Sequence, residues 1–144
     1  MEFYKESENF SSFSNEQKSS NQCKHLLLEL YKCDSEKLND ESFLRCILNR
    51  AAKLANATVL NLISNKFEPQ GVTAIALLAE SHISIHTWPE SHYSAVDIFT
   101  CGQIMMPELA SQYLIESLMA KEHSLRVIER NPPSEVSKQI RTSF

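Results

Sequence analysis

Apolar and polar residues alternate along the middle of the chain, a pattern typical of half-buried β-strands. The clearest alternation runs from His82 to Trp88. One face would carry His82, Ser84, His86 and Trp88, and the other Ser81, Ile83, Ile85 and Thr87. Residues from Tyr93 to Cys101 alternate in the same way, so we predict an antiparallel hairpin that reverses around Pro89.

Four further segments have the composition of strands. They are His25 to Cys33, Thr58 to Ile63, Val72 to Ala79 and Leu125 to Ile128. Periodicity alone leaves a helix open for the first segment, and its shortness favours a strand. The turn residues Pro69-Gln70-Gly71 predict that the second and third segments form a hairpin.

Two segments have helical spacing. Asp40 is a plausible N-cap for a helix whose apolar positions are Phe43, Ile47, Leu48, Ala51 and Leu54. Pro107 would start a second helix, with an apolar stripe of Tyr113, Leu114, Ile115 and Leu118. Strands that pair in hairpins, with two helices between strands along the chain, predict an α+β fold. We expect a two-layer sandwich, an antiparallel sheet with helices packed on one face.

Composition indicates a single domain with polar ends. The chain has 144 residues, of which 42% are apolar, enough for one real core. Residues 1–22 are rich in Ser, Glu, Asn and Gln, so we expect a flexible tail there and the domain in residues 23–144. The end of the chain, from Pro132-Pro133 onward, is expected to be loose.

Charge and hydropathy argue against several partners. The net charge is −4, and Lys and Arg are scattered rather than gathered into a basic stripe, which disfavours nucleic-acid binding. No apolar run approaches the roughly 20 residues of a membrane-spanning helix, and the N-terminus lacks the apolar middle of a secretion signal. We therefore expect a cytoplasmic protein with no nucleic-acid and no membrane partner.

The cysteines and histidines do not predict a metal site. Cys23, Cys33, Cys46 and Cys101 form no CxxC motif, so we expect four free thiols. His82 and His86 would lie about 13 Å apart on a strand, too far to share one zinc ion. A zinc site made by His92 and Cys101 stays open, although it lacks further ligands at suitable spacing.

The predicted hairpin brings Ser81 near a thiol but not near His86. Counting outward from the loop places Ser81 opposite Thr100 or Cys101, with Cβ atoms of such neighbours about 5 Å apart. A buried, inert cysteine is the simpler interpretation on composition alone. Ser81 and His86 would lie about 16 Å apart on opposite faces of a straight strand. Their contact would need a turn at Ser81 or a second copy of the chain across a two-fold axis.

Three stretches of the sequence carry a family resemblance. They are KHLLLELYKCD at residues 24–34, AESHISIHTWPE at residues 79–90 and DIFTCG at residues 97–102. In these stretches the chain resembles the small prokaryotic S-adenosylmethionine decarboxylases, over about residues 23–101 and more weakly to about residue 128. The resemblance implies a self-processing proenzyme that is cleaved between Glu80 and Ser81 and whose cofactor is a pyruvoyl group generated from Ser81.

The same resemblance assigns roles to further residues. It implies that His86 is the proton acceptor in processing, that the Thr73 hydroxyl assists, and that Cys101 is the proton donor in catalysis. The substrate would be S-adenosylmethionine, bound by Phe67 and Glu90, and the product an aminopropyl donor for spermidine synthesis. Trp88, which shares a strand face with His86, is expected to line the same substrate pocket. The family also implies a homo-oligomer, at least a dimer of processed chain pairs with its sites at the interface.

Other interpretations of these residues remain. Phe67 and Trp88 suit core packing, and Glu90 suits a solvated loop. The chain departs from the usual family pattern with Thr73 in place of serine, with Ser91-His92 in place of Tyr-Gly, and with Cys23 in place of glycine. The alternative functions are a pyruvoyl-dependent decarboxylase of ornithine or arginine, and an unprocessed homologue that acts as a partner subunit.

Overall fold

Six antiparallel strands form one sheet in the computed structural model, which describes residues 22–133. The strands are β1 Cys23–Tyr31, β2 Val59–Lys66, β3 Val72–Leu78, β4 Ser81–Trp88, β5 Tyr93–Cys101 and β6 Glu122–Arg130. Their order across the sheet is β2-β3-β4-β5-β1-β6. The predicted antiparallel sheet is confirmed, and it places β4 and β5 side by side at its centre.

Three helices pack on one face of this sheet. They are α1 Ser35–Leu38, α2 Glu41–Leu54 and α3 Pro107–Ser117. The predicted cap is confirmed, because the Asp40 side chain accepts a hydrogen bond from the Phe43 backbone N–H at 2.9 Å. The short helix α1, capped by Asp34, was not predicted, since four residues are too few to show a helical period.

Alternate strand residues separate a buried face from an open one. The residues fully buried against the helices include Leu26, Leu28, Leu30, Ile83, Ile85 and Ile98, which meet Leu44, Leu48 and Leu114. The intervening strand residues, such as His25, His86, Asp97 and Phe99, are half-buried. We call the sheet surface that they share the open face, because no helix of residues 22–133 covers it. The α+β two-layer sandwich is therefore as predicted.

Two tight connections lie at one end of the sheet. The turn between β2 and β3 closes with a hydrogen bond from Phe67 N–H to the Gly71 carbonyl at 2.8 Å. Gly71 has φ +102°, and a Cβ atom there would come within 3.0 Å of the Thr87 carbonyl oxygen, so glycine is required. A short 3-10 helix, Pro89–Ser91, joins β4 to β5 beside this turn. The loops that contain Phe67 and Glu90 are therefore neighbours.

The prediction of four free thiols is wrong at two positions. Strand β1 begins at Cys23, two residues earlier than predicted, and its register pairs Cys23 with Cys101 of β5. The two sulfurs form a disulfide. Cys33 and Cys46 are free, as predicted. Burial raises the pKa of the Cys33 thiol to about 11, which keeps it protonated and unreactive.

Some predictions concern parts of the chain outside the described residues. Residues 1–21 of the expected tail lie outside them, as do residues 134–144 of the expected loose end. Within residues 22–133, no helix has the length and apolar character needed to cross a membrane.

Candidate active site

The peptide bond between Glu80 and Ser81 is held in a strained and well-anchored turn. Ser81 has φ +149°, a conformation that side-chain-bearing residues rarely adopt and that costs about 1–3 kcal/mol. The Glu80 carboxylate accepts the backbone N–H of Thr58 at 3.0 Å and 3.3 Å. Ser81 then pairs in register with Thr100. Anchors on both sides of the bond therefore maintain the strain at residue 81.

The carbonyl of Glu80 is hydrogen-bonded on its oxygen. The backbone N–H of Cys101 donates to this oxygen at 3.1 Å. A donor at this place polarises the carbonyl and stabilises the negative charge that develops when a nucleophile attacks it. The predicted neighbourhood of residue 81 and Cys101 is confirmed for the backbone, with Thr100 as the direct partner of Ser81 and Cys101 opposite Glu80.

A cluster of titratable side chains lies beside the Ser81 hydroxyl. The Ser81 Oγ lies 3.3 Å from Nδ1 of His82. His25 Nε2 lies 2.9 Å from Asp97 Oδ1, and the His25 and His82 rings meet edge to face with centroids 6.5 Å apart. Burial lowers the pKa of His82, His25 lowers it further, and Asp97 opposes them. His82 is therefore held as a neutral imidazole that can accept a proton.

Sequence reasoning missed this cluster. Alternation placed His82 on the same strand face as His86, but it gave no role to His82, His25 or Asp97. The register of three adjacent strands aligns these residues in the structure, because His25 pairs with Phe99, and Phe99 with His82. Pairing of β1 with β5 could not be read from the sequence, since the two strands are distant along the chain.

His86 and Thr73 form a second cluster, away from Ser81. They are direct partners across β3 and β4, and the Thr73 Oγ1 lies 2.9 Å from His86 Nδ1. Threonine thus supplies the hydroxyl for which the family resemblance gives serine. His86 pairs with Ala95 of β5, five positions along from the pair formed by Ser81 and Thr100. The predicted separation of Ser81 from His86 within one chain is therefore confirmed by the register.

The residues predicted to bind substrate share the end of the sheet that holds His86. Phe67 is 49% exposed and Trp88 is 42% exposed, and Glu90 is also exposed. The Trp88 ring packs on Tyr93, with centroids 5.2 Å apart. We call the set Phe67, Thr73, His86, Trp88 and Glu90 the far cluster. It lies at the opposite end of β4 from Glu80, Ser81 and Cys101, which we call the cleavage cluster.

The loop that precedes Tyr93 explains one departure from the family pattern. His92 has φ +52°, in the left-handed region that favours glycine. Its imidazole Nδ1 lies 2.9 Å from the Cys33 carbonyl oxygen, and its own carbonyl accepts the Cys33 N–H at 3.0 Å. These bonds offset the cost of a side chain at this position, so the loop keeps its shape without glycine. His92 directly precedes β5, whereas Cys101 is the last residue of that strand, so the two cannot share a zinc ion.

The geometry of the cleavage cluster defines a class of site. A strained serine follows a carbonyl that already accepts a hydrogen bond, and an imidazole lies next to the serine hydroxyl. Such a site is suited to attack by a hydroxyl on its own preceding peptide bond.

Comparisons with known proteins identify the family. A family model described as S-adenosylmethionine decarboxylase matches residues 24–131. An S-adenosylmethionine decarboxylase proenzyme of Synechococcus sp. (strain WH7803) is 60% identical over 119 residues, which cover 83% of this chain and 93% of that protein. A proenzyme of the same name from Thermodesulfovibrio yellowstonii is 45% identical over 74% of this chain and 78% of that protein.

A solved structure agrees with these relatives. The crystal structure of the adenosylmethionine decarboxylase from Aquifex aeolicus VF5 is similar with a TM-score of 0.73 and 38% identity, over 78% of this chain and 93% of that chain. The chain therefore belongs to the S-adenosylmethionine decarboxylase family, as its sequence predicts.

Strain at residue 81 predicts an unusual order of stability. Without the serine hydroxyl neither Ser81→Gly nor Ser81→Ala can cleave itself, so both can be compared as intact chains. Glycine tolerates φ +149°, and we expect the Gly variant to be more stable than the Ala variant by about 1 kcal/mol. Denaturant unfolding measures the difference.

Ser84 in the same strand provides the control, because it has no positive φ. In the Ser81→Ala background, Ser84→Gly should be less stable than Ser84→Ala by about 0.5–1 kcal/mol. An Ala variant at residue 81 that is as stable as the Gly variant would contradict the strain.

Proposed function

We propose that the chain is a proenzyme that cleaves itself between Glu80 and Ser81 and then decarboxylates S-adenosylmethionine. The observation that carries this proposal is the strained backbone of Ser81, at φ +149°. It directly follows the Glu80 carbonyl, which accepts a hydrogen bond from the Cys101 N–H. The curated relatives that share most of the chain are named as proenzymes of this decarboxylase. That name favours S-adenosylmethionine over ornithine or arginine, and a processed enzyme over an unprocessed subunit.

Processing follows from the chemistry of the cleavage cluster. The Ser81 Oγ forms a bond to the Glu80 carbonyl carbon, and the bond from that carbon to the Ser81 nitrogen breaks, which leaves an ester and a free amine. The Cys101 N–H, 3.1 Å from the Glu80 oxygen, stabilises the negative charge that develops on this oxygen during the attack. Loss of the residue 81 α-proton then expels the Glu80 carboxylate and leaves dehydroalanine, which water converts to a pyruvoyl group and ammonia.

The two clusters support a site shared between two copies of the chain. His86 and Thr73 are hydrogen-bonded to each other at 2.9 Å but lie about 16 Å along β4 from Ser81. A second copy, related by a two-fold axis, would bring its far cluster to the cleavage cluster of the first. His86 of that copy would then remove the α-proton, with the Thr73 hydroxyl setting the orientation of its ring.

The far cluster supplies groups suited to the nucleoside part of the substrate. The half-exposed ring of Phe67 offers a surface on which adenine can stack. The exposed carboxylate of Glu90 can accept hydrogen bonds from both ribose hydroxyls. Trp88 packs on Tyr93 and would form one wall of the substrate site. Decarboxylated substrate would be an aminopropyl donor for spermidine synthesis.

Catalysis needs a cofactor with an electron-accepting carbonyl and a proton source. A pyruvoyl group at residue 81 supplies an electron sink for the loss of carbon dioxide. Cys101, whose backbone N–H contacts the Glu80 carbonyl, would return a proton to the substrate carbon when its sulfur is a thiol. We place these reactions in the cytoplasm, the compartment expected from the sequence.

Self-cleavage is tested by the mass of the protein. Freshly made wild-type protein should convert from one chain of 144 residues to chains of residues 1–80 and 81–144, the second starting with a pyruvoyl group. Ser81→Ala should stay intact and show no decarboxylation of S-adenosylmethionine, because it has no hydroxyl to attack Glu80. Mass spectrometry under reducing conditions measures cleavage. Turnover by the Ala variant would refute the pyruvoyl assignment.

Substitution of Cys101 distinguishes self-cleavage from decarboxylation. Cys101→Ala keeps the backbone N–H that binds the Glu80 carbonyl, so cleavage should proceed within about threefold of the wild-type rate. Decarboxylation should fall about 100-fold or more, because the proton donor is lost. Cys46→Ala, at an exposed free cysteine, is the control and should change neither rate. Normal turnover by Cys101→Ala would exclude the thiol as donor.

A further inference from the structure

The disulfide between Cys23 and Cys101 joins two strands beside the cleavage cluster. The cysteines are 78 residues apart in sequence, and only the antiparallel register of β1 and β5 makes them partners. Their Cα atoms are 4.0 Å apart. Cys33 and Cys46 take no part, since both are free. The fold thus makes Cys23, and neither Cys33 nor Cys46, the partner of Cys101.

This disulfide occupies the sulfur that the proposed function uses. The sulfur of Cys101 is bonded to Cys23, so it carries no proton that it could donate. Cys23 is 3% exposed, but Cys101 is half-buried at the end of β5, where the exposed residue Gln103 follows. A small dithiol can therefore approach the pair from the side of Cys101.

We propose that Cys23 and Cys101 are a reversible oxidation site that switches decarboxylation off. This inference rests on the proposed function, in which Cys101 is the proton donor. On oxidation the two thiols give two electrons and two protons to a low-molecular-weight disulfide, which becomes two thiols. On reduction a dithiol returns them and is itself oxidised to a cyclic disulfide. Only the reduced protein has a proton on the Cys101 sulfur.

Oxidation should leave self-cleavage intact. In the disulfide-bonded structure the Cys101 N–H still donates to the Glu80 carbonyl at 3.1 Å, and Ser81 keeps φ +149°. The switch therefore acts on the sulfur and not on the backbone that prepares the cleaved bond. An oxidised proenzyme should mature into a protein that is cleaved but inactive.

Cleavage gives the disulfide a diagnostic signature. Cys23 belongs to the chain of residues 1–80, and Cys101 to the chain of residues 81–144. In the oxidised protein the two products are therefore held together by a covalent bond. Denaturing electrophoresis without reductant should show them as one band, which dithiothreitol should resolve into two.

The experiment uses cleaved wild-type protein that is treated with oxidised glutathione and then with dithiothreitol. Oxidation should link the chains and lower turnover of S-adenosylmethionine about 100-fold, and reduction should restore both. Cys23→Ser should give chains that stay unlinked in oxidised glutathione, and protein whose mass shows no glutathione on Cys101 should remain active. Cys46→Ser should stay as sensitive as wild type, because Cys46 lies outside the pair.

The outcomes separate the switch from the function on which it rests. Full turnover by protein whose chains are linked, or failure of the chains to link under oxidant, would overturn the switch. Reduced, cleaved protein without any turnover would instead overturn the proposed function, and reversible linkage in the same sample would still establish the oxidation site.

The contacts of the His82 imidazole support a second inference, which is independent of the disulfide. Within residues 22–133, the Ser81 Oγ forms a hydrogen bond with His82 Nδ1 at 3.3 Å. The Phe99 ring lies against both His82 and His25, with centroids 5.9 Å and 5.5 Å away. Asp97 fixes His25 by a 2.9 Å contact. Strands β1 and β5 thereby hold the His82 ring beside the serine.

We infer that His82 is a catalytic residue of the first processing step. Its Nδ1 accepts the proton of the Ser81 hydroxyl as the oxygen bonds to the Glu80 carbonyl carbon. The same proton then passes to the Ser81 nitrogen, which leaves as a free amine when the ester forms. His25 and Asp97 are positioning residues, since they touch the ring of His82 or its neighbour and not the reacting atoms.

Trapping with hydroxylamine tests this step, because hydroxylamine cleaves an ester and not a peptide bond. His82→Gln keeps a polar side chain but cannot accept a proton, and we expect its cleavage to slow about 100-fold with no ester to trap. His86→Ala, blocked at the later loss of the α-proton, should accumulate an ester that hydroxylamine cleaves. His123→Gln, on the exposed strand β6, is the control and should cleave at the wild-type rate.

The pH dependence of cleavage excludes a merely structural effect. Wild-type cleavage should slow as pH falls and His82 is protonated, whereas the residual cleavage of folded His82→Gln, with the unfolding midpoint of the wild type, should lack this dependence. Ester that builds up in His82→Gln, or cleavage at the wild-type rate, would overturn the assignment.

Discussion

The hydrogen bond from the Cys101 N–H to the Glu80 carbonyl depends on the register of β4 and β5, and the rest of the site depends on it. It fixes the oxygen of the bond to be cleaved, and it sets residue 101 opposite residue 80. A shift of one residue would move every side chain of β4 to the other face of the sheet. His82 would then leave His25, and Ile83 and Ile85 would leave the core. The burial of these isoleucines therefore stabilises the register that chemistry requires.

How much the sequence could predict depended on whether a contact was local. Alternation and the loop at Pro89 were enough to predict the hairpin of β4 and β5, and the Asp40 cap was visible in the sequence. The start of β1 at Cys23 was missed, because a single polar residue, Lys24, separates it from the apolar run that defined the strand. Pairing of β1 with β5 was equally hidden, and with it the disulfide and the cluster around His82.

The open face explains why one chain holds only parts of the proposed site. Side chains of the cleavage cluster and the far cluster line the same central strands, but at opposite ends. A strand of eight residues is stiff and cannot fold back on itself to bring these ends together. Two copies in opposite orientation solve the problem with no change of backbone, since a two-fold axis exchanges the ends of equivalent strands.

Cleavage at the first residue of β4 would leave two interleaved chains. Residues 1–80 contribute β1, β2 and β3, whereas residues 81–144 contribute β4, β5 and β6. In the sheet, β3 pairs with β4, and β1 lies between β5 and β6. Strands from the two products therefore pair with each other at three places in the sheet. The products could separate only by breaking three complete strand pairings and opening the core. Such a cleavage would therefore turn one polypeptide into two chains that share one sheet and one core.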